Sequence, residues 1–343
     1  MSFPKVLFRV DANPQIGWGH FYRSLSLALM LRDEFHIVFA MGGTDSATRS
    51  ELDKLGIDLL EVEPQEYSTP DKRGSKELEF DLHNVLNEVD IVVLDGYWFG
   101  INYQLSLKQK PVKVAMIIDE LQGVYCADLI INHAPGAHKS SLQVDKDGVI
   151  FLLGTNYALL RPSFLAQARK DIRNDKEIKR VLVSFGGSDN QNFSFSVSNW
   201  LLHSTNCLIH VVLGPGYSDQ KFIRELKDRF PERLIIHSNL NEHQMLEQMV
   251  KADVGILPSS GVLMEAVACR LPSISGSYID NQDRILQGFH SAGAIVKTTS
   301  FYDLENSWQD ILKKGLSSIR DQHKMLIDGE SGERLVKAFK CLS

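Results

Sequence analysis

Short apolar runs alternate along the whole chain with stretches whose apolar residues recur at helical spacing. The runs at 6–10, 37–40, 90–94, 112–118 and 129–132 are bounded by polar and turn-forming residues and read as buried strands. Between them, segments 21–32, 45–55 and 76–88 carry the spacing of amphipathic helices. After an apolar run at 149–153 comes a charged stretch at 169–180 with Lys170, Asp171, Arg173, Asp175, Lys176, Glu177 and Lys179. The strand-and-helix pattern then restarts, with runs at 181–185, 208–213, 234–237, 254–257 and 273–275. Such alternation predicts parallel sheets covered by helices on both faces. The expected architecture is α/β, with two parallel-sheet domains facing each other across a cleft. The first spans residues 1–150 and the second 151–343, with the last helix able to pack back on the first domain.

Composition narrows the function classes. With 37 Lys and Arg against 43 Asp and Glu, the net charge of -6 gives no basic field, and no nucleic-acid partner is expected. The apolar runs are short and broken by charges, sized for buried strands rather than membrane spans, so no membrane partner is expected either. The opening residues run directly into a strand without a signal-peptide layout, which points to the cytoplasm. Cys126, Cys207, Cys269 and Cys341 are far apart and form no CxxC pair, against zinc, an iron–sulfur cluster or a disulfide framework. His133 and His138 flank Pro135 and Gly136, share no helical face, and are expected to be loop or surface histidines. No metal and no cofactor are predicted. A nucleophile elbow and a P-loop are also missing from the sequence.

In open parallel sheets, ligands bind beyond the carboxyl ends of the strands, where strand order reverses. The loops after strands therefore carry the chemistry. In the first, Val10-Asp11-Ala12-Asn13-Pro14-Gln15-Ile16-Gly17-Trp18-Gly19-His20-Phe21-Tyr22-Arg23, a strand leads through Gly17 and Gly19 into a helix starting near His20. Free N–H groups at a helix start make an anion site and favour a neutral, proton-accepting imidazole. Arg23, one turn on, suits a phosphate or a carboxylate. In the second loop, Asp95 and Tyr97 end a strand and are placed to bind sugar hydroxyls or orient a base; Asp119 has the same standing. Gly187 and Ser188 in Phe185-Gly186-Gly187-Ser188-Asp189 suit a phosphate cradle, or equally a tight turn capped by Ser188 or Asp189. Ser260 and Gly261 open a helix that can donate to a diphosphate, and Glu265 one turn inside can accept both ribose hydroxyls. Farther on, Asn281 and Gln282 supply amides before another helix.

Ser260-Gly261 followed by Glu265 and an Asn-Gln segment resembles the donor site of GT-B nucleotide-sugar enzymes, which have two Rossmann-like domains. The N-terminal Arg9-Val10-Asp11 with Gly17-Trp18-Gly19-His20 and Arg23 is more specific: it resembles the UDP-sugar hydrolases of pseudaminic acid biosynthesis. Tyr157-Ala158-Leu159-Leu160-Arg161, Phe185-Gly186-Gly187-Ser188-Asp189 and the segment 259–265 are similar to that family's segments, in the same order. The resemblance implies a GT-B-like fold and hydrolysis of a UDP-activated 2,4-diacetamido-2,4,6-trideoxy hexose, by water attack at C1 with inversion and without a metal. It further implies that His20 is the general base, with Gly17, Gly19 and Arg23 shaping the reaction site. Ser260, Gly261 and Glu265 would hold diphosphate and ribose, and Asn281 and Gln282 would lie near the sugar. Asp95 and Tyr97 fit the family's Asp-x-Tyr. Trp18 between the glycines, and Phe21-Tyr22 after the histidine, depart from the family's smaller residues and bear on the choice of sugar. The alternatives are a GT-B glycosyltransferase using a UDP-sugar donor, a hydrolysing UDP-sugar 2-epimerase, and a nucleotide-sugar sensor without chemistry.

Overall fold

Val6, Leu7, Phe8 and Val10 put apolar side chains on both faces of one strand, and that strand, β1 (Lys5–Val10), is buried on both sides. The computed structural model describes residues 3–13, 17–65, 79–86, 88–119, 124–139, 143–144, 148–170, 177–187, 189–214, 216–217, 220–278 and 282–343. The chain divides into two units, Met1–Pro162 with Glu330–Ser343, and Ser163–Gly329.

In the first unit β1 is followed by α1 (Gly19–Leu31), β2 (His36–Gly42), α2 (Ser46–Leu55), β3 (Asp58–Val62), β4 (Ile91–Asp95) and α3 (Ile101–Lys108). Then come β5 (Lys113–Ile117), β6 (Val124–Tyr125), β7 (Leu129–Asn132), β8 (Gln143–Val144) and β9 (Ile150–Leu153). Among the described residues one sheet runs in the order β3-β2-β1-β4-β5-β7-β9, every pair parallel. Strand order reverses between β1 and β4, where Val10 stands beside Asp95. The loops leaving these two strands therefore flank the crevice in which such sheets bind ligands.

The second unit continues with α4 (Pro162–Ala168), β10 (Arg180–Ser184), α5 (Phe193–Ser204), β11 (Leu208–Leu213), α6 (Gln220–Arg229), β12 (Leu234–Ser238) and α7 (Glu242–Lys251). It is completed by β13 (Val254–Pro258), α8 (Gly261–Ala268), β14 (Ser273–Gly276), α9 (Asp283–Ser291), β15 (Val296–Lys297), α10 (Glu305–Lys314) and α11 (Leu316–Leu326). Its sheet, again all parallel, has the order β12-β11-β10-β13-β14-β15, with its reversal between β10 and β13. Both sheets place their switch point after the first strand of the unit.

The last helix, α12 (Ser331–Lys340), belongs to the first unit. Leu335 and Phe339 join the core formed by β1 and α1, Phe339 packs edge-on to Phe35 at 6.3 Å, and Ser331 donates to the Ala158 carbonyl at 2.9 Å. Division at Pro162/Ser163, rather than after residue 150, keeps β9 in the first sheet, where it pairs with β7. The expected helix at 76–88 is not formed over its described part. Residues 79–86 are irregular or turn, Glu88 has φ 59°, and 76–78 and 87 lie outside the described residues. Tertiary contacts override the helical spacing there. Asp81 accepts from the buried Arg9 guanidinium at 2.7 and 3.0 Å and from the Tyr103 hydroxyl at 2.6 Å, and Leu82 and Val89 are drawn into the core. Arg9 also donates to Asp11 at 2.6 Å, and Asp11 accepts the Gly42 amide at 2.7 Å, so the exit of β1 is tied down where the first loop begins. Among the described residues no helix is long and apolar enough to cross a membrane.

Candidate functional site

The loop after β1 closes on itself. The Gly17 amide donates to the Asn13 carbonyl at 2.7 Å, and Gly17 takes φ 84°, a left-handed backbone that a side chain would strain. Pro14, Gln15 and Ile16 lie outside the described residues. At Gly19 an added Cβ would meet no described atom, so its neighbours do not demand a glycine. The turn delivers His20 to the first turn of α1, where it is buried.

The side chains of His20 and Arg23 from α1, Asp95 from the end of β4 and Asp119 from the loop after β5 interlock here. His20 Nδ1 lies 2.7 Å from Asp95 Oδ1. Arg23 donates through Nε to Asp95 Oδ2 at 2.8 Å and through Nη2 to Asp95 Oδ1 at 2.5 Å. Its Nη1 pairs with Asp119, while Ser24 Oγ donates to Asp95 Oδ2 at 2.9 Å. The Tyr97 hydroxyl donates to Asp119 Oδ2 at 2.9 Å, and its ring meets His20 edge-on at 4.8 Å between centroids. Helical geometry explains the convergence: residues three and four apart share a face, so His20, Arg23 and Ser24 all look toward the end of β4. Asp95 is 1% exposed, and burial opposes its ionisation; the Arg23 guanidinium and the His20 ring outweigh this and hold its carboxyl below the ordinary range. Asp119 is held low in the same way, chiefly by Arg23 against burial, while those two carboxylates overcome burial to raise Arg23 well above its usual value.

An ionised Asp95 can only accept. Its short contact to His20 is therefore Nδ1–H donating to Oδ1; in a neutral ring that arrangement puts the lone pair on Nε2. The 2.9 Å approach of Arg23 Nη2 to His20 Nδ1 is then two donors sharing one carboxylate oxygen. Both carboxylate oxygens of Asp95 are engaged within the chain, by His20, Arg23 and Ser24. Arg23, open to phosphate or carboxylate, meets two carboxylates.

In the second unit, the loops from β10 and β13 flank the switch point. Asp189 accepts the Phe193 amide at 2.9 Å and the Ser194 amide at 2.7 Å, so the start of α5 is already occupied by the chain's own carboxylate. Gly187 lies in a loop clasped by its neighbour. The Gly216 amide donates to the Gly187 carbonyl at 2.8 Å, and a Cβ on Gly214 would stand 2.1 Å from the Gly186 oxygen. Helix α8 differs: its N-cap Ser260 makes no side-chain bond to the helix start, and Gly261 at the first position is exposed. Glu265 sits one turn in, half-buried. Gln282 is buried and its Oε1 accepts the Tyr278 amide at 3.3 Å, holding the loop before α9. Ser188 and Asn281 lie outside the described residues.

The sequence missed Ser24 and His133. Ser24 was legible as the residue four on from His20 along the helix. His133 directly follows β7, the position that made Asp95 and Asp119 informative, and it is a loop histidine, but a buried one rather than one at the surface. Its Nδ1 accepts the Leu159 amide at 3.0 Å. Burial, then the Arg23 charge, push its pKa down to about 4. Among the described residues no group of three or more His, Cys, Asp or Glu is placed to hold a metal ion.

Two parallel-sheet α/β units with these topologies define the GT-B type of fold. The crystal structure of Acinetobacter baumannii MurG matches 98% of this chain and 100% of its own at TM-score 0.67 with 14% identity. The UDP-GlcNAc 2-epimerase of Methanocaldococcus jannaschii matches 98% of this chain and 100% of its own at TM-score 0.59, also with 14% identity. At the level of sequence the chain is similar to the UDP-2,4-diacetamido-2,4,6-trideoxy-beta-L-altropyranose hydrolase of Campylobacter jejuni, 22% identical over 81% of this chain and 93% of the relative. It is also similar to the uncharacterized protein MJ1062 of Methanocaldococcus jannaschii, 23% identical over 79% of this chain, but it spans only 55% of that relative's length. No model of a known family matches the chain.

Proposed function

We propose that the chain is an enzyme that hydrolyses a UDP-activated 2,4-diacetamido-2,4,6-trideoxy hexose to free sugar and UDP, in the cytoplasm, as a step toward a nonulosonic acid of the pseudaminic type. The observation that carries the reading is the 2.7 Å pair of His20 Nδ1 and Asp95 at a sheet switch point, which leaves Nε2 to accept a proton. His20 Nε2 takes a proton from water, the water oxygen bonds to C1, and the C1–O bond breaks with its electron pair leaving on the UDP β-phosphate. Attack opposite the leaving group inverts C1, as in inverting glycoside hydrolysis. Asp95 holds the ring in this tautomer and stabilises the imidazolium that forms, and Tyr97 packs the ring edge-on. Gly17, Gly19 and Arg23 shape the loop that presents His20.

The second unit's part is to hold the nucleotide. The uncapped start of α8 at Ser260 and Gly261 supplies N–H groups and the positive end of a dipole for the diphosphate, and Glu265 accepts from the ribose. Gly187 lies on the other side of the same switch point; with Ser188 it would complete the phosphate cradle, and Asn281 and Gln282 would serve the sugar end. No metal is required when helix amides carry the charge. The test is turnover of the diacetamido UDP-sugar in oxygen-18 water. Label in the sugar supports attack at C1, whereas label in UDP shows attack at phosphorus and ends this reading. UDP release that appears only with an added sugar or lipid acceptor would put a glycosyltransferase in its place.

A further inference from the structure

His133 stands at the carboxyl end of β7, 9% exposed, and it takes no part in the proton transfer assigned to His20. Its Nδ1 accepts a backbone N–H, that of Leu159, at 3.0 Å, so this nitrogen carries no proton and is closed to other partners. A neutral ring must then hold its proton on Nε2. The ring is neutral across the working pH range, because burial and the nearby Arg23 guanidinium push its pKa down to about 4, with Asp119 and Asp95 opposing less strongly. The charges that act on it are thus those of the His20 network: Arg23 from α1, Asp95 from β4 and Asp119 from the loop after β5. Nε2–H is not one of the buried polar atoms left without a partner among the described residues, and His133 stands two positions beyond the Ile117–Ile131 pair, level with Asp119, so its donor lies at the carboxyl edge of the sheet where a ligand can meet it.

The chemistry of that group selects its partner. Nε2–H only donates, so it gains nothing over water from a hydroxyl that must itself find an acceptor. It carries no charge, so a diphosphate would be better served by Arg, Lys or a helix start. An acceptor-only, neutral oxygen fits best, and in an N-acylated sugar that is the acylamino carbonyl. We propose that His133 is a specificity-determining residue whose Nε2–H donates to an acylamino carbonyl of the sugar, which rests on the UDP-sugar reading of the site.

Two measurements separate this from the hydrolase reading. In the full-length protein labelled with 15N-histidine, His133 should show the Nε2–H tautomer from pH 8 down to 5. Its Nε2 resonance should move on adding UDP-2,4-diacetamido-2,4,6-trideoxy-β-L-altropyranose and stay still with UDP or UDP-glucose. An Nδ1–H tautomer, titration near pH 6.5, or no response to the diacetamido sugar overturns the assignment, whether or not the enzyme hydrolyses it. A response without turnover in water keeps His133 and removes the hydrolase. In kinetics, His133→Phe removes the donor and should raise KM for the diacetamido sugar about tenfold to hundredfold. UDP affinity should stay within twofold, and His133→Gln, which keeps an N–H, should recover most of the loss. Equal damage in both variants, or a fall in kcat at constant KM, assigns His133 a merely structural role.

Discussion

The two switch points are built alike and furnished differently. In the first unit the ends of β1, β4 and β5 lead to His20, Arg23, Asp95 and Asp119, side chains that ionise and hold one another. In the second, the ends of β10 and β13 lead to Gly186, Gly187, Ser260 and Gly261, and what they offer is backbone. A parallel sheet provides the same geometry in both places, a crevice rimmed by helix starts. A titratable side chain at such a rim can move a proton, whereas glycine and serine leave room for amides to meet an anion. In the proposed function, a division of labour between chemistry and holding would follow from residue type at equivalent positions.

The sharpest way to break this contrast is His20→Asn, which keeps size and some hydrogen bonding but cannot accept a proton. It should lower kcat by roughly 10²–10⁴, with UDP affinity by calorimetry unchanged. Wild-type turnover would remove His20 from the chemistry. Asp95→Asn attacks the same network through its hub. Leaving Arg23 buried beside a neutral amide should cost about 3–5 kcal/mol in denaturant unfolding of the first unit, besides disturbing the His20 tautomer. A loss under 1 kcal/mol, on the order of an exposed pair, would mean that the network is not the closed cluster its distances describe.

Glu265→Ala tests the other side. UDP affinity should fall by roughly 1.5–3 kcal/mol, as for a hydrogen bond to a charged group, while unfolding of the first unit is untouched. Unchanged UDP binding would take Glu265 out of the ribose site. A smaller effect concerns pH. His133 in the first unit and His323 in the second are held at about 4 and about 3, both below the ordinary histidine value, chiefly by burial. Each folded value lies below its unfolded one, so the unfolded chain binds the proton first. The stability from neutral burial is complete above about pH 6.5 and is lost as pH falls toward 4 and 3. Each histidine should therefore cost on the order of 1–2 kcal/mol between pH 7 and 5. The first unit's share should be missing in His133→Gln; an unaltered pH dependence there would contradict the buried, neutral ring. The smallest expected effect is that of EDTA, which should leave turnover within twofold. Activity lost to EDTA and restored by magnesium would show that the α8 start does not carry the diphosphate charge alone.

Alternating apolar runs and helical spacing were enough to specify two parallel-sheet units, because a strand buried on both faces must be apolar throughout and its crossover helix must be amphipathic. The loops worth attention were legible for the same reason: chain order places them after strands. Spacing on one helix also put His20, Arg23 and Ser24 on a common face. The segment at 76–88 shows where this legibility stops. Its apolar spacing suits a helix, but the buried Arg9, 72 residues away along the chain though adjacent in space, needs Asp81 more than Asp81 needs a helix. What only the tertiary structure decided is which groups face which across the first crevice. Strand order puts β4 beside β1 and makes Asp95 the partner of His20 at a sequence separation of 75, a pairing that no local pattern encodes. It likewise buried His133 and turned its Nδ1 to Leu159, so that a histidine in a loop with no local motif became a neutral donor. Local periodicity follows from chain geometry within a few residues, while the ionisation and tautomer of a side chain depend on charges and solvent brought to it through space.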